Sequence, residues 1–169
     1  MSKPYETNNI QISSDGFQKL TGTKDGKNFL WTTEINTELP IRIGTSGYAN
    51  TIAPTIIPKV FRDVTKRRGD MPAQWVQRGG KNLCWTWKQY YTACVQFAQG
   101  LHKLGVNQRK AVNIMGWNSP EWAIAYFGGI FHNNVVSGVY TTNGPEACLY
   151  QAENSEAEVI VVDTLPQLK

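Results

Sequence analysis

Long apolar runs, paired cysteines and a strong charge of either sign are all scarce in this chain, and each shortage excludes a class of function. The longest nearly apolar run, Ala123 to Phe131, is nine residues, whereas a membrane-spanning helix needs about twenty. The three cysteines, Cys84, Cys94 and Cys148, are odd in number and not closely spaced, so neither a disulfide framework nor a zinc finger is expected. His102 and His132 are the two histidines, and no Cys, Asp or His stands beside either at catalytic or metal spacing. Each reads as a helix-end residue favoured by the helix dipole. Seventeen Lys and Arg against thirteen Asp and Glu leave a charge of only +4. The one dense basic cluster, Lys66, Arg67 and Arg68, falls at the end of a predicted helix, where the dipole and solvation favour cations. Trp75, Trp85, Trp87, Trp117 and Trp122 have no interleaved Arg and Lys, so they read as core and sheet-edge packing and no nucleic-acid partner is expected. The N-terminus lacks a basic segment leading into an apolar core, so no secretory signal is expected either.

What is present suits one globular domain: 169 residues, 41% hydrophobic, with six Trp, seven Tyr and six Phe. Residues 1–28 stand apart as a polar arm rich in Asn, Ser, Thr, Lys and Gly, with too little apolar surface to offset the entropy of ordering. From Phe29 the segments Phe29 to Thr33 and Pro40 to Gly44 predict a hairpin that Gly44-Thr45-Ser46-Gly47 closes. That Gly-Thr-Ser-Gly run is not a phosphate cradle, because no lysine follows closely and no helix opens after it. Residues 55–68 predict a helix with Ile57, Val60, Phe61 and Val64 on one face and Gly69 as its stop. A second hairpin is expected around Gly79-Gly80. Thr86 then opens the clearest helix: Thr86 and Gln89 have capping-box spacing, and Tyr90, Cys94, Phe97, Leu101 and Leu104 form its inward stripe up to Gly105.

The region from Asn113 to Asp163 reads as strand, helix, strand, helix, strand. Lys110 to Met115, Val135 to Tyr140 and Glu158 to Asp163 are the predicted strands. Ser119-Pro120-Glu121 supplies a cap, a preorganised first-turn residue and an acid matched to the dipole. The helix that follows is apolar nearly all round and expected to be buried, with Gly128-Gly129 admitting a close neighbour. Asn143 and Glu146 are expected to cap the second helix, whose inward stripe is Pro145, Cys148, Leu149 and Ala152. The fold class is therefore α/β, a βαβαβ parallel-sheet unit preceded by short hairpins and two amphipathic helices. Ligands of such sheets gather at the carboxyl ends of the strands, which singles out Asn118, Tyr140, Thr141 and Thr142 as cleft-lining candidates. Asn118 also suits a plain turn, and none of the four is an obvious catalyst. No catalytic, cofactor-binding or metal-ligating residue is expected.

The residues resemble the N-terminal region of long-chain acyl-CoA synthetases, most closely the bubblegum type. The likeness runs from Leu30-Trp31-Thr32-Thr33 to Leu168 and takes in Arg42-Ile43-Gly44, the 58–68 helix with Gly69 to Ala73, and Thr86 to Tyr91. Its most specific parts are Ile114 to Trp122 and Tyr140 to Cys148, and Ala152 to Val162 continues the match. The resemblance implies that residues 29–169 are an incomplete N-terminal portion of the large, AMP-binding domain of an adenylate-forming enzyme.

Such enzymes join a fatty acid to coenzyme A through an acyl-adenylate, using ATP and magnesium, and are cytoplasmic or peripheral to an intracellular membrane. The phosphate loop ending in Pro-Lys-Gly, the adenine and magnesium segment, the ribose-binding Asp, the hinge and the catalytic Lys all lie later in them and have no counterpart in these 169 residues. The resemblance therefore implies a ligase parent needing ATP, magnesium and CoA, and a segment that binds no cofactor and is inactive alone. Its partner is then the remainder of a parent chain. The alternative is a truncated, non-catalytic protein that serves as a binding or structural component of a larger assembly, its polar arm docking a partner.

Overall fold

The computed structural model describes residues 53–168. The polar arm, the first predicted hairpin and Gly44 to Gly47 lie outside the described residues.

Helix α1 (Ile57–Arg68) carries Pro58 in its first turn, where a missing N–H costs nothing, and its three basic residues in its last. It leads into the hairpin of β1 (Pro72–Arg78) and β2 (Lys81–Thr86), which pairs Trp75 with Cys84 and Arg78 with Lys81. Gly79 and Gly80 both have positive φ, at 55° and 72°. A two-residue turn that matches the strand twist requires that, and glycine adopts it without strain.

Helix α2 (Trp87–Lys103) opens on the expected reciprocal cap. The Gln89 amide donates to Thr86 Oγ1 at 3.2 Å, and the Thr86 amide donates to Gln89 Oε1 at 2.9 Å. It closes in a Schellman turn: the Val106 amide reaches the Leu101 carbonyl and the Gly105 amide the His102 carbonyl, with Gly105 left-handed at φ 78°. The buried stripe is Tyr90, Cys94 and Leu101, with Phe97 half-buried. Leu104 departs from the expected stripe: it is the C-cap, where the chain has left the helical face, and it is 75% exposed. Burial pushes the Cys94 thiol up to about 12, so it stays protonated and packs as a small hydrophobe.

The second sheet is parallel, with β3 (Ala111–Met115) between β4 (Val135–Val139) and β5 (Ala157–Val162). Every residue of β3 is buried. The chain passes from β3 to β4 on one side through α3 (Pro120–Phe131), then back across β3 to β5 through α4 (Pro145–Asn154). Right-handed crossovers in opposite directions put the two helices on opposite faces. A Cβ on Gly129 of α3 would meet Val136 and Val112. Ser155, the C-cap of α4, donates to Asn113 Oδ1 at 3.1 Å, and Asn113 points from β3 to the other face.

The core sits on the α3 side. Phe61 of α1 is 6% exposed and touches five aromatic rings, those of Trp87, Tyr90, Tyr91, Phe127 and Phe131, with centroids between 4.8 and 5.8 Å away. All five contacts are edge-on, which aromatic quadrupoles favour. The expected α1 face is only partly covered, since Ile57 and Val60 are exposed and border an apolar groove with Val64, Trp87 and Phe127. Two tryptophans also depart from core packing: Trp75 on the hairpin and Trp117 after β3 are exposed.

Helix α4 differs from expectation at both ends of the reading. Its N-cap is Gly144, with no side-chain cap, and the Asn143 amide group instead donates to Gln151 Oε1 at 3.2 Å, nearly two turns into the helix. None of its residues is buried, and Leu149 of the expected inward stripe is 59% exposed. The periodicity of a stripe sets which residues share a face; it does not supply the element that covers them.

Candidate functional site

Residues 116–119 leave the carboxyl end of the central strand and enter α3. Ser119 caps that helix, its hydroxyl accepting from the Trp122 amide at 3.1 Å, and Pro120 and Glu121 occupy the first turn. Glu121 is held from outside the helix as well. Arg78, the last residue of β1, forms a two-pronged ion pair with it, at 2.8 and 2.6 Å. That guanidinium holds the Glu121 carboxyl below the usual carboxylate range. The hairpin is thereby tied to the same turn that shapes the strand-end loop.

Reversal of chain direction makes the crevice between β3 and β5 the topological switch point, the usual place for a ligand in an open α/β sheet. Here Asp163 fills it. Its Oδ2 accepts from the Trp117 amide at 3.0 Å, and its side chain lies where a Cβ on residue 116 would stand, 3.1–3.3 Å away. Glycine at 116 permits that approach, and only about 60 Å3 of space remains among Ile114, Trp122 and Val161.

The open cleft is on the other side, between the ends of β3 and β4. It has a volume of about 420 Å3, with Trp117, Asn118, Trp122, Tyr140 and Thr141 on its walls and Gly138 among its lining residues. Three of the four sequence candidates, Asn118, Tyr140 and Thr141, are thus brought together. Thr142 is not: it is exposed and outside the lining. The sequence reading missed three participants. Trp122 belongs to α3 and stacks on Tyr126 at 5.4 Å, Arg78 lies forty-three residues from Glu121, and Asp163 closes the neighbouring crevice. An acid directly after the apolar run of β5 was the available signal for Asp163; nothing local marks Arg78. A larger hollow of about 520 Å3 is lined by β2 and α2, away from the carboxyl ends of the parallel strands.

Among the described residues, amide, hydroxyl, phenol and indole groups line the cleft, with no carboxylate, ammonium, guanidinium or imidazole side chain. They provide shape, stacking and neutral hydrogen bonds. Nucleotide phosphates or magnesium require cations, backbone nests or carboxylates, and this donor set does not fit them. Among the described residues no group of three or more His, Cys, Asp and Glu is placed to hold a metal ion. No described helix is long and apolar enough to cross a membrane.

The doubly wound opening around β3 is that of the N-terminal domain of adenylate-forming enzymes. The N-terminal subdomain of Klebsiella oxytoca NpsA superposes with a TM-score of 0.58 at 18% identity, over 66% of this chain and 28% of that one. The fatty acid AMP ligase of Legionella pneumophila gives 0.57 at 12% identity, over 62% of this chain and 19% of that one. At these identities the likeness is one of fold. The model of the family described as AMP-binding enzyme matches residues 61–169, and the chain belongs to that family. In sequence it is similar to long-chain-fatty-acid–CoA ligase ACSBG2 of Gallus gallus, 38% identical over 98% of this chain and 22% of that protein. Long-chain-fatty-acid–CoA ligase ACSBG1 of Rattus norvegicus is 31% identical over all of this chain and 23% of its own length. The chain therefore spans about a fifth of the length of the curated relatives it matches.

Proposed function

We propose that residues 29–169 are the leading part of the large domain of a long-chain fatty acid–CoA ligase, and that residues 1–28 are a polar extension ahead of it. The observation that carries this reading is whole-chain identity of 31–38% to ligases of bubblegum type, over only 22–23% of their length. The reaction belongs to the parent. A carboxylate is a poor acyl donor; transfer of adenylate from ATP gives it a good leaving group, which the thiol of coenzyme A then displaces. That step needs cationic stabilisation of phosphate, which the side chains described around the cleft do not offer. Asn118, Tyr140 and Thr141 contribute at most a neutral wall to a cleft completed by later residues, and no catalytic role is assigned to any of them.

The test is ATP–pyrophosphate exchange with a long-chain fatty acid. The 169-residue chain alone is expected to give no exchange above background, whereas a longer product of the same reading frame, carrying a phosphate loop with lysine, is expected to be active. Exchange by the 169-residue chain would overturn the assignment of chemistry to the parent. A second reading, a non-catalytic component of a larger assembly, is favoured by the unpaired outer edges of β4 and β5 among the described residues and by the uncovered α4. The intact mass of the protein from its natural source separates the two: a mass near 19.0 kDa favours the assembly component, and a much larger one with peptides from a phosphate loop favours the ligase.

A further inference from the structure

The two histidines of the chain meet at the opposite end of the sheet from the cleft. His102 is in the last turn of α2, His132 is the C-cap of α3, and their ring centroids are 6.0 Å apart at an interplanar angle of 55°. Their surroundings are unequal. His102 is exposed and has no hydrogen-bond partner for its ring among the described residues. His132 is buried, and its Nδ1 lies 2.7 Å from Oδ1 of Asn134, which is buried too.

Asn134 decides the tautomer of that ring when it is neutral. Its Nδ2 donates to the Asn107 carbonyl at 2.8 Å and to the Lys110 carbonyl at 2.9 Å. Two carbonyl acceptors on one side fix the NH2 there, so the oxygen must face His132 and accept. The hydrogen of a neutral His132 then sits on Nδ1, and Nε2 keeps its lone pair. A carbonyl-type oxygen that receives the N–H of one ring nitrogen while the other stays bare is the arrangement that surrounds metal-ligating histidines.

The spacing agrees. With metal–nitrogen bonds of about 2.0–2.1 Å, two imidazoles on one ion bring their centroids to roughly 5–6 Å. The observed 6.0 Å lies at the upper end of that range, so binding requires the exposed His102 ring to turn a nitrogen toward Nε2 of His132.

We propose that His102 and His132 form a two-histidine site for a divalent transition ion of the zinc type, with water completing the coordination. Bound there, the ion joins the C-terminal ends of α2 and α3, the two helices that pack on the aromatic core. The bland alternative is that Asn134 merely ties off the turn from α3 into β4.

Tag-free 169-residue chain titrated with Zn2+ alone distinguishes the two. Because the chain has only two histidines, every imidazole nitrogen signal in a long-range 15N spectrum belongs to one of them. The expected result is the Nδ1–H tautomer for the neutral His132 ring, saturable binding of one Zn2+ that shifts both rings, and a raised unfolding midpoint. His102→Gln, at an exposed position that leaves folding intact, is expected to weaken binding at least tenfold and abolish the rise in midpoint. A His132 carrying its hydrogen on Nε2, no saturation below about 1 mM Zn2+, or unchanged affinity in His102→Gln, which would locate the ion away from this pair, each overturns the proposal.

Discussion

Helices α3 and α4 open with nearly the same text, Ser-Pro-Glu at 119–121 and Gly-Pro-Glu at 144–146. Each follows a strand of the same parallel sheet. Yet α3 buries Pro120, Ala125, Gly128 and Gly129, and α4 buries nothing. The difference lies in what comes before them in the chain. Helix α3, which covers one face of the sheet, is itself covered by α1 and α2, and the hairpin is clamped to it by Arg78 and Glu121. The face that α4 covers has no further layer among the described residues. A βαβαβ unit thus has its two sides completed by different parts of the chain: the α3 side by residues that precede the unit, and the α4 side by nothing in residues 53–168.

The comparison predicts that stability resides on the α3 side, and the largest effect is expected at its centre. Phe61→Ala removes the ring on which Trp87, Tyr90, Tyr91, Phe127 and Phe131 converge. A loss of about 3–5 kcal/mol is expected from the transfer and cavity costs together, read as a lowered urea midpoint of the chain. A loss under about 1 kcal/mol would mean that α1 is not integral to the core. Next is Gly128→Val. A Cβ there would stand 2.7–2.9 Å from Phe97 and from the Cys94 carbonyl, and the backbone of α2 cannot yield cheaply. Overpacking is expected to cost about 1–3 kcal/mol, despite glycine being the poorer helix former. A stabilised variant would show that the two helices have room to part.

Much of this side was legible in the residues. The capping box at Thr86, the Ser119 cap and the Gly79-Gly80 turn all follow from local chemistry, which depends only on neighbours in sequence, and the paired Gly128-Gly129 signalled a close approach without naming what approaches. What could not be read was tertiary. Leu104 continues the spacing of its stripe but falls where the helix has already turned off. Asn143 has the right chemistry to cap α4, but its side chain reaches Gln151 instead. At the candidate site, Asn118, Tyr140 and Thr141 were predictable because strand carboxyl ends are set by topology. Asp163 and Arg78 were not, because their roles depend on partners forty-six and forty-three residues away.

A smaller effect is expected where the two helices differ in their caps. Ser119→Ala removes the acceptor of the Trp122 amide at the start of α3 and is expected to cost about 1 kcal/mol. Ser119→Gly, which makes that cap like the natural Gly144 of α4, should cost only a few tenths. Equal losses in the two variants would mean that the hydroxyl acts through something other than capping.

The smallest effect is expected on α4, and it carries the sharpest contrast. In the 169-residue chain Leu149→Glu places a charge at a position already 59% exposed, so the urea midpoint should move by the equivalent of no more than about 0.5 kcal/mol. In a longer form of the protein, the proposed parent would cover this face with later residues, and the same substitution would then bury an unpaired carboxylate at a cost of several kcal/mol. A large loss in the short chain would show that α4 already packs against something within it. A negligible loss in both forms would show that the face stays open, and the comparison between α3 and α4 would then describe the protein itself and not the length of chain in hand.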